Sequence, residues 1–327
     1  MRILVVGGAG YIGSHVVKSL LNTGFNVRVY DDLSTGKRIN LFADAEFMEG
    51  SLLDIETLKT AMDGVDGVVH LAAKKAVGES MAEPEKYAEN NLIGAINLLN
   101  SMAEKNVKYL VFSSSAAVYG MPQKPQLDEE HPLNPINFYG FTKLEMERLM
   151  GWYDRLKGIK FVSLRYFNAV GYDKDGDVPG LEEKPQNLLP VVMETLFGIR
   201  EQMSVFGNDY DTPDGTCVRD YIHVTDLAMA HTLALQYLER ENESQVLNLG
   251  TGKGHSVLEM IQETERIVNQ KINYVMAPRR SGDPAKLTAS SEKAQSVLGW
   301  QPQHSDLENI IRTTWQVYQN NYQKNQD

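Results

Sequence analysis

The feature that most constrains this chain is a glycine-rich turn set between an apolar run and an amphipathic segment. Ile3-Leu4-Val5-Val6 leads directly into Gly7-Gly8-Ala9-Gly10-Tyr11-Ile12-Gly13. The segment Tyr11–Thr23 follows, with Ile12, Val16 and Leu20 recurring every four residues. That recurrence describes one face of a helix, and the unbroken apolar run describes a strand covered on both faces. The turn satisfies GxxGxxG through Gly7, Gly10 and Gly13, and GxGxxG through Gly8, Gly10 and Gly13. Glycine is needed there for a tight reversal, for close approach of a pyrophosphate and for helix–strand packing. The pyrophosphate would rest on the unpaired N–H groups of the helix N-terminus. The next apolar run ends in Tyr30-Asp31-Asp32, about 18 residues beyond Gly13, where an acid can accept from an adenosine ribose. A carboxylate at Asp31 would repel a 2′-phosphate, which favours NAD over NADP. Taken singly, each signal also has a plain reading, as a tight connection or a turn residue.

The alternation continues along the first half. The spacing predicts further strands at Asn26–Tyr30, Glu46–Glu49, Gly67–Leu71, Tyr109–Ser113 and Phe161–Leu164. Helices are predicted at Ile55–Met62, Pro84–Glu104 and Tyr139–Lys157. Strand, helix, strand in sequence means parallel strands joined by right-handed crossovers. The fold class is therefore α/β, with a doubly wound parallel sheet of Rossmann type over residues 1–168. After Asn168 the rhythm changes to a loop at Tyr172–Gln186, a helix near Leu189–Arg200, a short strand at Val205–Phe206 and a loop at Asn208–Gly215. Val246–Gly250 reads as a buried strand that returns to the first sheet. The second, smaller α/β domain (169–327) is thus expected to be discontinuous, with a returning segment near 219–250. Helices near Val257–Asn269 and Asp306–Tyr318 complete it.

Composition bounds the function. The chain has 327 residues, 42% hydrophobic and 23% charged, which is globular and large enough for a sizeable core. Its net charge of −11 argues against nucleic acid, and an anionic ligand would need a local cluster of arginines. Cys217 is the only cysteine, so no intrachain disulfide forms. Seven scattered histidines show no metal-ligand spacing, and His223 reads as a buried structural residue. The apolar stretch after Met1 is too short for a signal peptide, and no run approaches membrane-spanning length. A cytoplasmic enzyme with a small-molecule substrate is the expectation.

The chemistry is carried by Tyr139-Gly140-Phe141-Thr142-Lys143. On a helix, residues four apart share a face. A phenol with an ordinary pKa of ~10 is a poor base near neutrality, and an adjacent ammonium stabilises its phenolate. Tyr139 so tuned can exchange a proton with an alcohol while a hydride leaves the same carbon. Tyr153 and Lys157 repeat the spacing at the end of the same predicted helix and are read as a packing tyrosine with a solvated lysine. The difference lies in company: the strand Tyr109–Phe112 delivers Ser113-Ser114-Ser115 at its carboxyl end, where ligands of open α/β sheets bind.

With these stretches in hand, the chain resembles the extended short-chain dehydrogenase/reductase family over nearly its whole length. Further stretches that carry the resemblance are Lys75–Ser80, Ser113–Gly120, Leu164–Asn168, Asn187–Pro190, Phe206–Tyr210, Val218–Val224 and Ala277–Pro284. The resemblance implies reversible interconversion of UDP-glucose and UDP-galactose on a tightly held NAD. It implies Tyr139 as base, Lys143 as its electrostatic partner and a ribose ligand, and Ser115 as the hydroxyl beside the sugar O4. Besides Gly7, Gly10 and Gly13, cofactor contacts are implied for Tyr11, Ile12, Asp31, Leu71, Ala72, Ala73, Lys75, Asn90 and Phe167. The UDP-sugar is implied to meet Asn168, Asn187, Leu188, Ser204, Val205, Phe206, Arg219, Arg280 and Asp283. Arg219 and Arg280 would supply the local positive charge that a diphosphate needs on an acidic protein. A homodimer through Pro84–Glu104 and Tyr139–Lys157 is also implied.

Three departures from the family pattern stand out. Gly50-Ser51 replaces a Gly-Asp pair that contacts adenine, Phe138 replaces a proline before the tyrosine, and the stretch after Asp283 is compact. Ala116 and Ala117 occupy positions where nucleotide-sugar dehydratases carry an Asp-Glu pair, and neither can move a proton. Two alternatives remain open at this stage: epimerisation of a UDP-N-acetylhexosamine or UDP-uronate, and a non-catalytic nucleotide sensor.

Overall fold

The computed structural model describes residues 1–280 and 282–322. Among the described residues thirteen strands are present: β1 (Arg2–Val6), β2 (Asn26–Asp31), β3 (Glu46–Glu49), β4 (Gly67–His70), β5 (Tyr109–Ser113), β6 (Lys160–Tyr166), β7 (Asn168–Val170), β8 (Met203–Phe206), β9 (Val218–His223), β10 (Gln245–Leu249), β11 (Gly254–Ser256), β12 (Tyr274–Ala277) and β13 (Lys286–Leu287). The helices are α1 (Tyr11–Asn22), α2 (Ile55–Ala61), α3 (Val77–Ala82), α4 (Pro84–Tyr87), α5 (Gly94–Glu104), α6 (Phe138–Lys157), α7 (Leu188–Leu196), α8 (Val224–Glu241), α9 (Val257–Val268), α10 (Glu292–Leu298) and α11 (Leu307–Tyr322).

Seven strands form one parallel sheet in the order β10-β6-β5-β4-β1-β2-β3. The chain winds outward from β1 in one direction and then in the other, so the connections diverge at the carboxyl ends of β1 and β4. A crevice at such a switch point is where an open α/β sheet takes its ligand. Alternate residues of each strand face opposite layers. Ile3, Val5, Val69 and Val111 pack with Val16, Val17 and Leu20 of α1 and with Leu227, Leu235 and Leu238 of α8. Leu4, Val6, Val68, Leu110 and Phe112 pack against Leu58, Leu98, Leu99, Met102, Met146 and Met150 on the other side. Each fully buried side chain of this size contributes roughly 1.5–3 kcal/mol over leaving it in water.

Several sequence expectations shift. The α8 helix is absent from the sequence reading because its buried face includes Ala228, Ala230, His231, Thr232 and Ala234, which blur the amphipathic contrast. The expected helix Pro84–Glu104 is broken by a π-helical turn at Ala88–Ile93. That turn buries Asn91, whose Oδ1 accepts from the Lys74 backbone N–H (2.8 Å) and whose Nδ2 donates to Thr142 Oγ1 (3.1 Å). The expected helix Leu189–Arg200 stops at Leu196, where the Glu194 carbonyl accepts from the Ile199 and Arg200 N–H groups. Smaller strands missed from sequence gather around β9, which pairs with β7, β11 and β13. β8 and β12 form a separate parallel pair. Among the described residues, no helix is long and apolar enough to cross a membrane.

Candidate functional site

The glycine loop forms the floor of the crevice. Gly7 has a positive φ of 85° and donates from its N–H to the Tyr30 carbonyl. A Cβ at Gly13 would lie 2.0 Å from the Gly7 carbonyl oxygen, so the loop folds on itself with no room for a side chain. The helix α1 begins without a side-chain cap and without an acid in its first turn, leaving its amino-terminal N–H groups for an anion. Asp31 closes the loop from the side: its Oδ2 accepts from the Ala9 N–H and its Oδ1 from the Leu33 N–H, both at 2.9 Å. Burial pushes this carboxyl up, and those two N–H groups pull it back. Each oxygen retains a lone pair, so the acid serves as turn residue and as potential acceptor. The uncapped helix, the loop and the acid together fit the diphosphate and ribose of NAD.

The remaining cofactor-side candidates line the same region to differing degrees. Leu71, Ala72 and Ala73 continue β4, and the Leu71 and Ala72 N–H groups donate to the Val6 carbonyl. Lys75 is exposed and forms an ion pair with Glu182. Asn90 donates to the Lys86 carbonyl within its own turn (2.8 Å), whereas the neighbouring Asn91 braces the Lys74 backbone. Tyr11 reaches across to the Gly171 carbonyl (2.5 Å), and Ile12 packs toward the core. Phe167 packs beside Val118, Tyr119 and Leu144. At the departure Gly50-Ser51, the Ser51 carbonyl accepts from the Tyr30 hydroxyl (2.8 Å).

The proton-transfer group assembles where β5 meets α6. Asn137 caps α6, its Oδ1 accepting from the Gly140 N–H at 2.8 Å. Gly140 lets the helix approach Ala117 so closely that a Cβ would meet the Ala117 carbonyl at 2.4 Å. Tyr139 and Ser115 thereby meet: burial pushes the Tyr139 phenol up, and a hydrogen bond with the Ser115 side chain pulls it down. Lys143, 4% exposed, donates from Nζ to the Ser113 carbonyl (2.8 Å) and lies 5.9 Å from the centre of the Tyr139 ring. Desolvation lowers its ammonium to about 7, and the Glu147 charge opposes that fall. Ser113 Oγ donates to His231 Nε2 (2.8 Å), whose Nδ1–H bonds the Leu227 carbonyl; burial keeps this histidine neutral. Tyr153 stands apart, its hydroxyl on Asn100 (2.6 Å).

The substrate-side candidates form the opposite wall. Asn168 donates from Nδ2 to the Asp220 carbonyl (3.0 Å). Asn187 stands at the start of α7 without a side-chain cap bond, and Leu188 packs beneath it. In β8, Ser204 is exposed while Val205 points into the core, leaving only its backbone for a ligand. Arg219 donates to the Val218 carbonyl (2.7 Å) and pairs with Asp283. Arg280 stacks 3.9 Å from the centre of the Phe206 ring. Arg279, by contrast, pairs with Asp209 (2.7 Å) over the Tyr210 ring. His223 is buried and caps α8, accepting from the Thr225 N–H. Ser80, Asn91 and Glu147 were missed from sequence; Ser80 Oγ accepts from the Tyr139 N–H (3.1 Å). An acid four residues after Lys143 was a legible signal for Glu147.

A doubly wound sheet with a glycine-loop crevice and a Tyr–Lys pair defines a dinucleotide-dependent epimerase or dehydratase. The chain belongs to the NAD dependent epimerase/dehydratase family, whose profile matches residues 3–250. A UDP-glucose 4-epimerase from Streptococcus mutans is 48% identical, covering 100% of this chain and 99% of that protein. The structure of UDP-glucose 4-epimerase from Brucella ovis in complex with NAD superposes with a TM-score of 0.95. It is 42% identical, and the match covers 97% of this chain and 98% of that one. The Bifidobacterium longum enzyme of the same name, in complex with NAD+ and UDP, gives a TM-score of 0.91 at 37% identity, with 98% of each chain covered.

Proposed function

We infer that this chain catalyses UDP-glucose 4-epimerisation, interconverting UDP-glucose and UDP-galactose with NAD as its cofactor. The observation that carries the mechanism is the meeting of Tyr139, Lys143 and Ser115 at the carboxyl end of β5, beside the glycine loop. The sugar C4–H is not acidic, so inversion requires temporary oxidation. NAD, held by the Gly7–Gly13 loop and Asp31, would supply the reversible hydride acceptor that such an oxidation needs. Tyr139 removes the O4 proton in one direction and restores it in the other. Ser115 holds O4 against the phenol. Lys143 stabilises the phenolate through space, against the burial that pushes the phenol up.

Inversion also requires the hexose to turn while the nucleotide stays fixed. Arg219 and Arg280 grip the diphosphate, and Phe206 with the backbone of Val205 borders the uracil. Asn168, Asn187, Leu188, Ser204 and Asp283 complete the wall. Asp283 keeps the Arg219 guanidinium in place for the phosphates. Most ground-state binding then falls on UDP, remote from the chemistry. On the other side, Gly7, Gly10, Gly13, Tyr11, Ile12, Asp31, Leu71–Ala73, Lys75, Asn90 and Phe167 are assigned to NAD.

The domains assigned are 1–168 with the returning segment near 219–250, and 169–327 for the UDP-sugar. Two copies associate through the α4–α5 and α6 faces, which expose Ile93, Ile96, Trp152 and Leu156. The location we assign to this activity is the cytoplasm. The test is to assay the purified protein, without added cofactor, on UDP-galactose and on UDP-N-acetylgalactosamine. Conversion of UDP-galactose to UDP-glucose is expected, with the acetylated sugar turned over more slowly. Equal or preferred use of the acetylated sugar would overturn the substrate assignment.

A further inference from the structure

Beneath the Tyr139–Lys143 pair lies a buried charge that the reaction described above does not use. Tyr139, Lys143 and Glu147 follow one another at four-residue steps and so occupy one face of α6. Glu147 and Arg165 are both almost fully buried and form a two-point ion pair, with Arg165 Nε on Oε1 (3.0 Å) and Nη2 on Oε2 (2.5 Å). Glu147 Oε1 also accepts from Ser114 Oγ (2.5 Å) and Ser163 Oγ (2.8 Å). Arg165 continues the chain outward, donating from Nη1 to the Tyr119 hydroxyl (3.0 Å), which donates to Asn248 Oδ1 (2.6 Å). A buried ion pair is rarely the most stabilising filling for a core, since desolvation offsets most of its attraction. Its placement calls for another explanation.

Two contacts supply it. Through Ser114 the carboxylate holds the end of β5, the strand end that carries both the Ser113 carbonyl on which Lys143 rests and Ser115. It is also the negative charge one helical turn from the Lys143 ammonium. The other groups around that ammonium offer no such charge. His70 of β4 is kept neutral by burial and by Lys143 itself, and its Nδ1 has no partner. Phe112 of β5 presents its ring 4.8 Å away. Tyr166 of β6 and His231 of α8 are uncharged, each held so by burial. Arg165 is neutralised by Glu147.

We propose that Glu147 is a positioning residue for the epimerisation: its carboxylate sets a negative charge one helical turn from Lys143 and, through Ser114, fixes the Ser113–Ser115 strand end against the Tyr139–Lys143 pair. The inference rests on Tyr139 and Lys143 being the proton-transfer pair. Glu147→Gln removes the charge while keeping size and hydrogen-bonding ability, so the ammonium gives up its proton at lower pH. The experiment is the pH profile of kcat for UDP-galactose, measured on holoenzyme. The alkaline fall-off should move down by about one pH unit or more, the shift typical of losing a nearby opposite charge. KM for UDP-galactose should stay within about twofold, because Glu147 lies below the cleft and its loss is felt only in the chemical step.

Glu147→Gln strands the Arg165 guanidinium, so the double change Glu147→Gln/Arg165→Gln is made in parallel and carries the test if the single variant does not fold. It removes the negative charge nearest Lys143 together with the positive charge paired to it, so a downward shift smaller than that of the single variant is expected. A folded variant whose alkaline fall-off is unmoved, whether its kcat is lowered or intact, overturns the proposal. Tyr139→Phe, assayed alongside, separates the two levels. If it retains full turnover, the proton-transfer assignment fails; if it is inactive and the fall-off is unmoved, only the role given to Glu147 fails.

Discussion

Replacing Lys143 with methionine keeps the aliphatic stem and removes the charge. The ammonium lies 5.9 Å from the centre of the Tyr139 ring. Two unit charges at that separation interact by about 3 kcal/mol at an effective dielectric constant near 20. That energy is about two units of pKa, so the Tyr139 phenol in Lys143→Met should lose its proton two units higher. Where only the phenolate acts, kcat at any pH below the phenol's titration should fall about 100-fold and rise about tenfold per pH unit. Initial rates of UDP-glucose formation from UDP-galactose, from pH 6 to 10, give the profile. Stability moves the opposite way. Burial lowers the Lys143 ammonium from 10.5 to about 7, so holding it charged costs the fold below 7, and that cost fades as pH rises toward 10.5. Lys143→Met should therefore melt at higher temperature than the parent at pH 7, with the gap closing by pH 10. A variant with near-parental kcat at pH 7, or one whose lost activity does not return with pH, would refute the electrostatic reasoning.

Four other outcomes follow from the site. Ser115→Ala should lower kcat with little change in KM, while Arg219→Ala should mainly weaken binding of UDP-sugar and of UDP alone, read by calorimetry. The acid at the end of β2 predicts that denatured protein releases NAD, partly reduced, and no NADP; recovery of mainly NADP would show that Asp31 does not face the ribose. Tyr153→Phe should leave turnover within about twofold, since its hydroxyl only meets Asn100 on a neighbouring helix.

The half of the chain that builds the large sheet is legible in sequence because its signals are local. The runs at β1 and β5 show both their length and their two-sided burial, and the Gly7–Gly13 turn announces the helix that follows. The strand at β10 is legible for the same reason, and its pairing with β6 brings a late segment back to the sheet. Helix α8 is not legible, because a helix packed against a sheet and α1 takes alanine, threonine and histidine on its hidden face. The short strands around β9 escape as well. Two or three residues carry no period, and their pairing is decided by distant segments. At the site, residues that act through chemistry show in the motif: Tyr139, Lys143 and Ser115. Those that act by holding others, such as Asn91 in its π-turn and Ser80 under the Tyr139 N–H, depend on backbone paths the sequence does not display.

The central claim is that inversion proceeds by removing and returning the same hydrogen at C4, with Tyr139 handling only the proton on oxygen. UDP-galactose carrying deuterium at C4 tests it directly, with the product UDP-glucose examined by NMR or mass spectrometry after many turnovers in ordinary water. The account predicts that deuterium stays at C4 of the product. Progressive replacement of that deuterium by solvent hydrogen would mean that a proton is taken from carbon, and would contradict it.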